Sequence, residues 1–264
     1  MEKVAIVTGA NSGIGKSTAL VLAAKDCKVY DFSRRNIPCE GITHISCDVT
    51  DEKVVNEAVG AVLNESGRID ILINCAGFGI SGAVEFTTLE NAKRQFDVNF
   101  FGTVNVTKAV LPVMRKQGGG RIVNVSSVAA VAHVPFQTYY SATKAAIESY
   151  TCCLANEVRP FGISVTSVQP GDISTGFTDA RDKSYEGDDV YGGRISRSVA
   201  GMEKDERKGM KPDTVGKYIA DVSLRKNVKP IYAIGASYKA VSTLCKVFPC
   251  GIRNRIIGAL YAKK

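Results

Sequence analysis

The feature that most constrains this chain is an alternation of two patterns. Short, largely apolar runs rich in β-branched residues occupy 4–7, 27–32, 42–47, 69–74, 121–126, 163–169 and 230–234. Such runs fit strands covered on both faces rather than strands with one wet side. Helical spacing fills the intervals at 17–25, 51–66, about 89–116 and 136–157. Within 51–66, Val54, Val55, Ala58, Val59, Val62 and Leu63 share one helical face, Thr50 or Asp51 can cap the start, and Gly67 follows the end. Strand and helix repeated in this way, with right-handed crossovers, give an α/β fold: a doubly wound parallel sheet with helices on both faces, in three layers. Residues 172–210 are polar and glycine-rich, without a clear period. No composition break or repeat divides the 264 residues, so a single domain over 1–264 is expected. It would carry a lid at 176–210 and a basic helical tail at 238–264.

Composition excludes several classes. The chain is 45% hydrophobic with no tryptophan, and its mean hydropathy is near zero, as in ordinary globular proteins. A net charge of +8 fits surplus surface lysine, an anionic ligand, nucleic acid or an anionic membrane. No nucleic-acid motif accompanies it, so nucleic acid is not an expected partner. The eight cysteines (27, 39, 47, 75, 152, 153, 245 and 250) form no CxxC pair. They read as reduced, mostly buried thiols of a cytoplasmic protein. With only His44 and His133 to draw on, no metal site is expected. Neither a charged-then-apolar leader nor an apolar run approaching a membrane span is visible.

In a doubly wound sheet the ligand crevice lies at the carboxyl ends of the strands. After the first strand comes Thr8-Gly-Ala-Asn-Ser-Gly-Ile-Gly15. Its three glycines permit a sharp turn and close approach, and the helix that follows presents its positive end to a pyrophosphate. A plain tight turn would also explain three glycines. Further on, Tyr139 and Tyr140 precede Lys144. Tyr140 and Lys144, four apart, share a helix face, whereas Tyr139 points away. An ammonium one turn from a phenol favours the phenolate, so Tyr140 is the expected working acid and base, with its pKa drawn below the usual 10 or so. Alone, the pair would be read first as a snorkelling surface pair.

The ordered set of Thr8-Gly-x-x-x-Gly-Ile-Gly15, Asn74-Cys-Ala-Gly77, Asn99, Ser127, Tyr140-x-x-x-Lys144 and Pro170-Gly171 resembles the short-chain dehydrogenase/reductase family, in particular its hydroxysteroid- and retinol-type members. The resemblance spans residues 1–175 and implies a Rossmann-like sheet and hydride transfer between a nicotinamide and an alcohol or ketone. It implies catalytic roles for Tyr140, Lys144, Ser127 and Asn99. Ser127 is chosen over Ser126 because it stands thirteen residues before Tyr140. The dinucleotide would be held by Gly9, Asn11, Ser12, Gly13, Ile14 and Gly15, by Asp48, Val49, Asn74, Ala76 and Gly77, by Tyr140 and Lys144, and by Pro170, Gly171, Ile173 and Thr175. Cys75 departs from the family's usual asparagine, which puts local rigidity in doubt more than chemistry. At the end of the second strand, NAD-preferring members carry an acid where this chain has Ser33 followed by Arg34. Asp31 lies one pleat further inside. A guanidinium can pair a 2′-phosphate bidentately, so NADP(H) is expected over NAD(H).

Substrate contacts are the least legible. Phe78, Val128, His133, Phe136 and Phe177, with Ala129 and Val134, would gather near the carbonyl if the fold holds. Such a wall suits a lipophilic alcohol or ketone, a hydroxysteroid or bile acid first and an acyl-chain ketone second. A cofactor-sensing binding protein on the same fold is the alternative of another class. In the tail, Ile252, Ile256, Ala259 and Leu260 form a stripe beside Arg253, Arg255, Lys263 and Lys264. It could cover the cleft, pack in a homo-oligomer, which is expected here, or touch an anionic membrane weakly.

Overall fold

The computed structural model describes residues 2–262. The chain opens with β1 (Lys3–Thr8), α1 (Gly13–Ala23), β2 (Cys27–Ser33), β3 (Ile42–Ser46), α2 (Glu52–Ser66) and β4 (Ile71–Asn74). After the short β5 (Ile80–Ser81) come α3 (Leu89–Phe96), a π-helical turn over Asp97–Phe101 and α4 (Gly102–Gln117). β6 (Gly120–Val125), α5 (Thr138–Val158) and β7 (Ile163–Gln169) follow. The lid contributes α6 (Phe177–Ala180), β8 (Asp182–Lys183) and α7 (Arg194–Arg207). The remainder is α8 (Pro212–Leu224), β9 (Ile231–Ala233), α9 (Ala236–Val247) and α10 (Cys250–Tyr261).

Seven strands form one sheet in the order β3-β2-β1-β4-β6-β7-β9. Every neighbouring pair runs parallel. The order reverses between β1 and β4, which opens a crevice at their carboxyl ends. Both faces are covered, as largely apolar strands require. One core joins β-strand side chains such as Ile6 and Leu72 to Val59 and Val62 of α2 and Val106 and Val110 of α4. The other joins Val7, Ile71 and Val123 to Leu22 of α1 and Val215 and Ile219 of α8. Asp51 caps α2, accepting from the backbone N–H groups of Lys53 and Val54 at 2.9 and 3.1 Å. Gly67 closes that helix in the left-handed conformation that glycine adopts without strain.

The structure departs from the expected elements in instructive places. The helix over 89–116 is continuous but contains a π turn. α5 begins at Thr138, because Phe136 takes a left-handed backbone (φ 62°) that no helix could include. The lid is not structureless. Its α7 buries only Ile195, Ser198, Val199 and Met202 among charged neighbours, a face too sparse to stand out in the sequence. β8 pairs with β5 in a separate two-stranded sheet, and Ile173 bridges to Met210, so the lid is tied down near both ends. α8, absent from the sequence reading, starts with Pro212 in its first turn and packs along α1. None of the cysteines forms a disulfide among the described residues. Only Cys27, Cys47 and Cys245 are buried, fewer than expected.

α1 and α8 meet at Gly216, where an added Cβ would stand 2.6 Å from the Ser17 Cβ and 2.7 Å from the Thr18 nitrogen. Backbone cannot give way there, so Gly216→Ala is expected to destabilise the protein by about 1–3 kcal/mol. Gly201, inside α7 with nothing within 4 Å of such a Cβ, is the control. Gly201→Ala is expected to be neutral or slightly stabilising. Urea unfolding midpoints at unchanged slope measure both.

Candidate active site

The loop after β1 is shaped by its glycines. Gly9 and Gly13 have φ of 69° and 52°, and a Cβ on Gly15 would overlap the Gly9 carbonyl. The backbone is therefore folded on itself more tightly than any other residue permits. Thr8 clamps this loop to the end of β4, its Oγ1 accepting from the N–H groups of Cys75 and Ala76, both at 2.9 Å. Asp31 holds the loop from the other side. Its carboxylate accepts from the Ala10 N–H at 2.9 Å and the Ser33 hydroxyl at 2.6 Å and lies 3.0 Å from His44 Nδ1. It is buried and fully engaged, so the acid on this strand organises the loop rather than reaching into the cleft. Arg34 and Arg35 are exposed and line the cleft beside Ser33.

That cleft is a cavity of about 1210 Å³ running from the glycine loop to the lid and tail. Gly9, Asn11, Ser12, Gly13, Ile14 and Gly15 line one end, with Ser33, Arg34, Asp48 and Val49. Ala76, Gly77, Ser127, Tyr140, Lys144, Pro170, Gly171, Ile173 and Thr175 line the middle. A nicotinamide dinucleotide fits these residues: the loop is a cradle that a Cβ would fill, and no side chain caps the N-terminus of α1.

Two expected residues lie elsewhere. Asn74 is buried behind the cleft wall, where its amide donates to Thr107 Oγ1 at 3.1 Å and Asn124 Oδ1 at 2.8 Å. Asn124 in turn donates to Thr151 at 2.9 Å. This polar ladder crosses the centre of the sheet, so Asn74 itself supplies a central brace where Cys75 had put rigidity in doubt. Asn99 sits in the π turn, fully buried and off the cleft surface. Its amide pairs with both backbone groups of Phe78, at 3.0 Å each, and donates to Thr143 at 3.2 Å. Its oxygen also lies 3.1 Å from where a Gly77 Cβ would be. Asn99 thus fixes the 77–78 backbone next to Lys144.

Tyr140 and Lys144 sit one turn apart on α5, as the spacing predicts. Tyr140 faces the cleft, while Tyr139 does not line it. The two serines divide as expected. Ser126 is buried and donates to the Lys144 carbonyl at 3.0 Å, with Glu148 at 3.1 Å. Ser127 opens on the cleft beside the Tyr140 phenol. Lys144 extends beneath Tyr140, its Nζ 5.6 Å from the ring centroid, and donates to the Val125 carbonyl at 2.8 Å.

The electrostatics correct the expectation of a phenol made acidic by its neighbour. Burial pushes the Tyr140 phenol up to about 12, outweighing the Ser127 hydroxyl and the Arg181 guanidinium, which pull it down. Burial also draws the Lys144 ammonium down to about 8. The same dry surroundings penalise both charged forms, so the proximity argument alone had the wrong sign. Cys75, beside Lys144, is likewise pushed up to about 11 by burial and stays a thiol.

The substrate end is partly as expected. Phe78, Val128, Ala129, Val134 and Phe177 line the cleft, with the Phe177 ring 5.8 Å from Tyr140. His133 and Phe136 do not. His133 is exposed outside the cleft, and Phe136 turns into a cluster under α7, 5.8 Å from the Tyr191 ring. The left-handed backbone at Phe136 aims the side chain away from the helix that sequence spacing had assumed. Several wall residues went unanticipated. Tyr238 and Tyr261 of the tail line the cleft with Asp172 and Glu206. Tyr238 packs over Gly171, where a Cβ would strike its ring, and donates to Asp172 at 2.6 Å. Two tyrosines in an otherwise aliphatic, basic tail were the available sequence cue.

A family model described as short chain dehydrogenase matches residues 3–186. A 3-ketodihydrosphingosine reductase of Bacteroides thetaiotaomicron is 45% identical over 231 residues, 85% of each chain. Among solved structures, a short-chain dehydrogenase from Streptomyces avermitilis superposes with a TM-score of 0.83 at 30% identity, covering 98% of this chain and 95% of its own. ElxO with NADP bound superposes at 0.77 and 29% identity, covering 91% and 100%.

Burial of Lys144 has a consequence for stability. Its pKa falls from 10.5 unfolded to about 8 folded, so the unfolded chain holds more protons between those values. Stability therefore rises with pH from about 8 to 10.5, and below 8 the full penalty, about 3 kcal/mol, is present. Lys144→Met is expected to raise stability at pH 7 by about 1–2 kcal/mol, since the lost Val125 hydrogen bond offsets part of the gain. That advantage should vanish at about pH 9 and reverse by pH 10, where most of the lysine's penalty is relieved, in paired urea titrations.

Proposed function

Because this chain belongs to the short-chain dehydrogenase family and is therefore an oxidoreductase of CH–OH and ketone groups, we propose that it reduces a ketone on a long aliphatic chain, with NADP(H) as its preferred cofactor. The observation that carries the substrate reading is the 45% identity, over 85% of both chains, to a 3-ketodihydrosphingosine reductase. The cleft supports it. Its apolar wall of Phe78, Val128, Val134 and Phe177 continues between the lid and the tail, which suits an alkyl chain, and Asp172, one of whose carboxylate oxygens accepts from Tyr238, offers an acceptor for a polar headgroup. A steroid or bile acid rests on the apolar wall alone, which an alkyl chain satisfies equally, so that reading gives way.

When bound, the reduced nicotinamide supplies the hydride. Tyr140 gives its phenolic proton to the carbonyl oxygen as that oxygen becomes an alcohol. Ser127, beside Tyr140, turns its one hydroxyl hydrogen to that oxygen and holds it in place. Lys144 binds the ribose hydroxyls and stabilises negative charge on Tyr140 after the transfer. With its pKa pushed up to about 12 by burial, the phenol is protonated at neutral pH in the ligand-free site, the form that reduction starts from. At the other end, Arg34, with Arg35 beside it, pairs the 2′-phosphate, and Ser33 leaves room for it because its hydroxyl is turned to Asp31.

Consumption of NADPH or NADH, followed by absorbance with long-chain 2-amino-ketones and with steroid ketones, tests the reading. Turnover of the long-chain ketone with NADPH is expected, at least about tenfold above any steroid. Steroid turnover without long-chain turnover would contradict it. Tyr140→Phe is expected to lower kcat by about 100-fold or more with nucleotide binding retained, while Tyr139→Phe stays near wild type. Arg34→Ala should raise the KM for NADPH about tenfold or more and that for NADH by less than about twofold. Equal effects on the two would remove the case for the phosphate.

A further inference from the structure

The tail gathers two unusual properties in one place. After Asp221 the sequence has nine Lys and Arg and no Asp or Glu, so residues 222–264 carry more than the whole net charge of +8. The same segment concentrates exposed apolar side chains. Seven of the fifteen large apolar residues that stand exposed among those described fall between Val241 and Leu260, far more than an even spread would place there. The helices explain how. α9 turns Ser242 and Cys245 inward, and α10 turns Ile257 inward. That leaves Leu244 and Val247 on α9, Phe248 just after it, and Ile252, Ile256 and Leu260 on α10, facing out, with Val247 74% and Leu260 63% exposed. The inward and outward rows are therefore reversed relative to a stripe that only covers the cleft. Arg253 bridges the two helices, donating to the Cys245 carbonyl at 2.7 Å. Val241 and Leu260 also line the cleft, so both exposed rows start at its rim. Lys239 and Arg255 are exposed beside them. Lys263 and Lys264 lie outside the described residues.

We propose that the α9–α10 segment docks on the surface of an anionic lipid bilayer, with its outward apolar residues in the acyl boundary and its basic residues at the headgroups, which presents the mouth of the cleft to the membrane. Charge and shape select this occupant. A segment whose own charges are all basic, with an exposed apolar row, matches an anionic interface, whereas a second copy of the same segment would bring like charges together. No helix among those described is long and apolar enough to cross a membrane, so the contact is peripheral. The docking is independent of the substrate assigned above. Only the handover of a lipid ketone from leaflet to cleft rests on that reading.

Sedimentation of the full chain with vesicles tests it without substrate. On phosphatidylcholine vesicles containing a third phosphatidylglycerol, most of the protein is expected to pellet at 50 mM salt, with binding falling at least fivefold at 500 mM salt or on pure phosphatidylcholine. The pair Val247→Ser and Ile256→Ser, both on the outward row, should reduce binding at least fivefold while turnover of a short water-soluble ketone stays within twofold, which shows the fold intact. Arg255→Gln should weaken binding and flatten its salt dependence. No pelleting on anionic vesicles at low salt overturns the proposal. So does a dimer, seen by light scattering, that the serine pair dissolves, since the row would then be covered by a second copy. Docking that holds while no long-chain ketone is reduced would leave the membrane contact standing and overturn the substrate reading instead.

Discussion

The ammonium of Lys144 is kept in a dry place by a single backbone carbonyl, that of Val125, and the carboxyl edge of the sheet is arranged around that burden. Burial disfavours its charge strongly enough to bring its pKa close to neutrality. The phenol above it is disfavoured as an anion by the same surroundings. The resting pair is thus a protonated acid over a weakly held cation, each displaced from its ordinary range by lost hydration rather than by the other. A positive charge arriving from a ligand would act on the phenol in a low-dielectric setting, where it counts for far more than in water.

The rest of the sheet edge fixes the position of this pair. Thr8 ties the glycine loop to the strand beside it, and Asp31 ties the loop to β2. The π turn adds one residue to the long helix, placing the Asn99 amide against the backbone of Phe78 just where that backbone passes Lys144. Extra residues of this kind recur where a helix must present a group out of register. Behind them the chain of amides and hydroxyls from Thr107 through Asn74 and Asn124 to Thr151 crosses the core. A buried network of this sort, with several members paired to one another, favours one arrangement of strands.

What could be read from the sequence follows from where the physics is local. The parallel sheet was legible because strands wet on neither face are rich in apolar residues. The choice of Tyr140 over Tyr139 was legible because it depends only on helical geometry. The glycine loop was legible because close approach admits no other residue. Three kinds of information were not local. The left-handed turn at Phe136 redirected a side chain through its backbone. The ordered lid depends on a few apolar contacts of Ile195, Val199 and Met202 with distant partners. The pKa of Tyr140 depends on how dry the cleft is, which no spacing of charges reveals. The tail shows the same division: its stripe was visible, but which side of it faces the protein was decided by tertiary packing around Ile257 and Cys245.

The central claim is that burial, not the neighbouring amine, sets the resting state of the catalytic pair. Difference absorbance in the phenolate band, wild type minus Tyr140→Phe, followed against pH without nucleotide, tests it most directly. The account predicts no Tyr140-dependent phenolate up to pH 10, and a midpoint that falls when oxidised nicotinamide dinucleotide is added. A Tyr140 ionisation step at or below pH 9 in the ligand-free protein would contradict it.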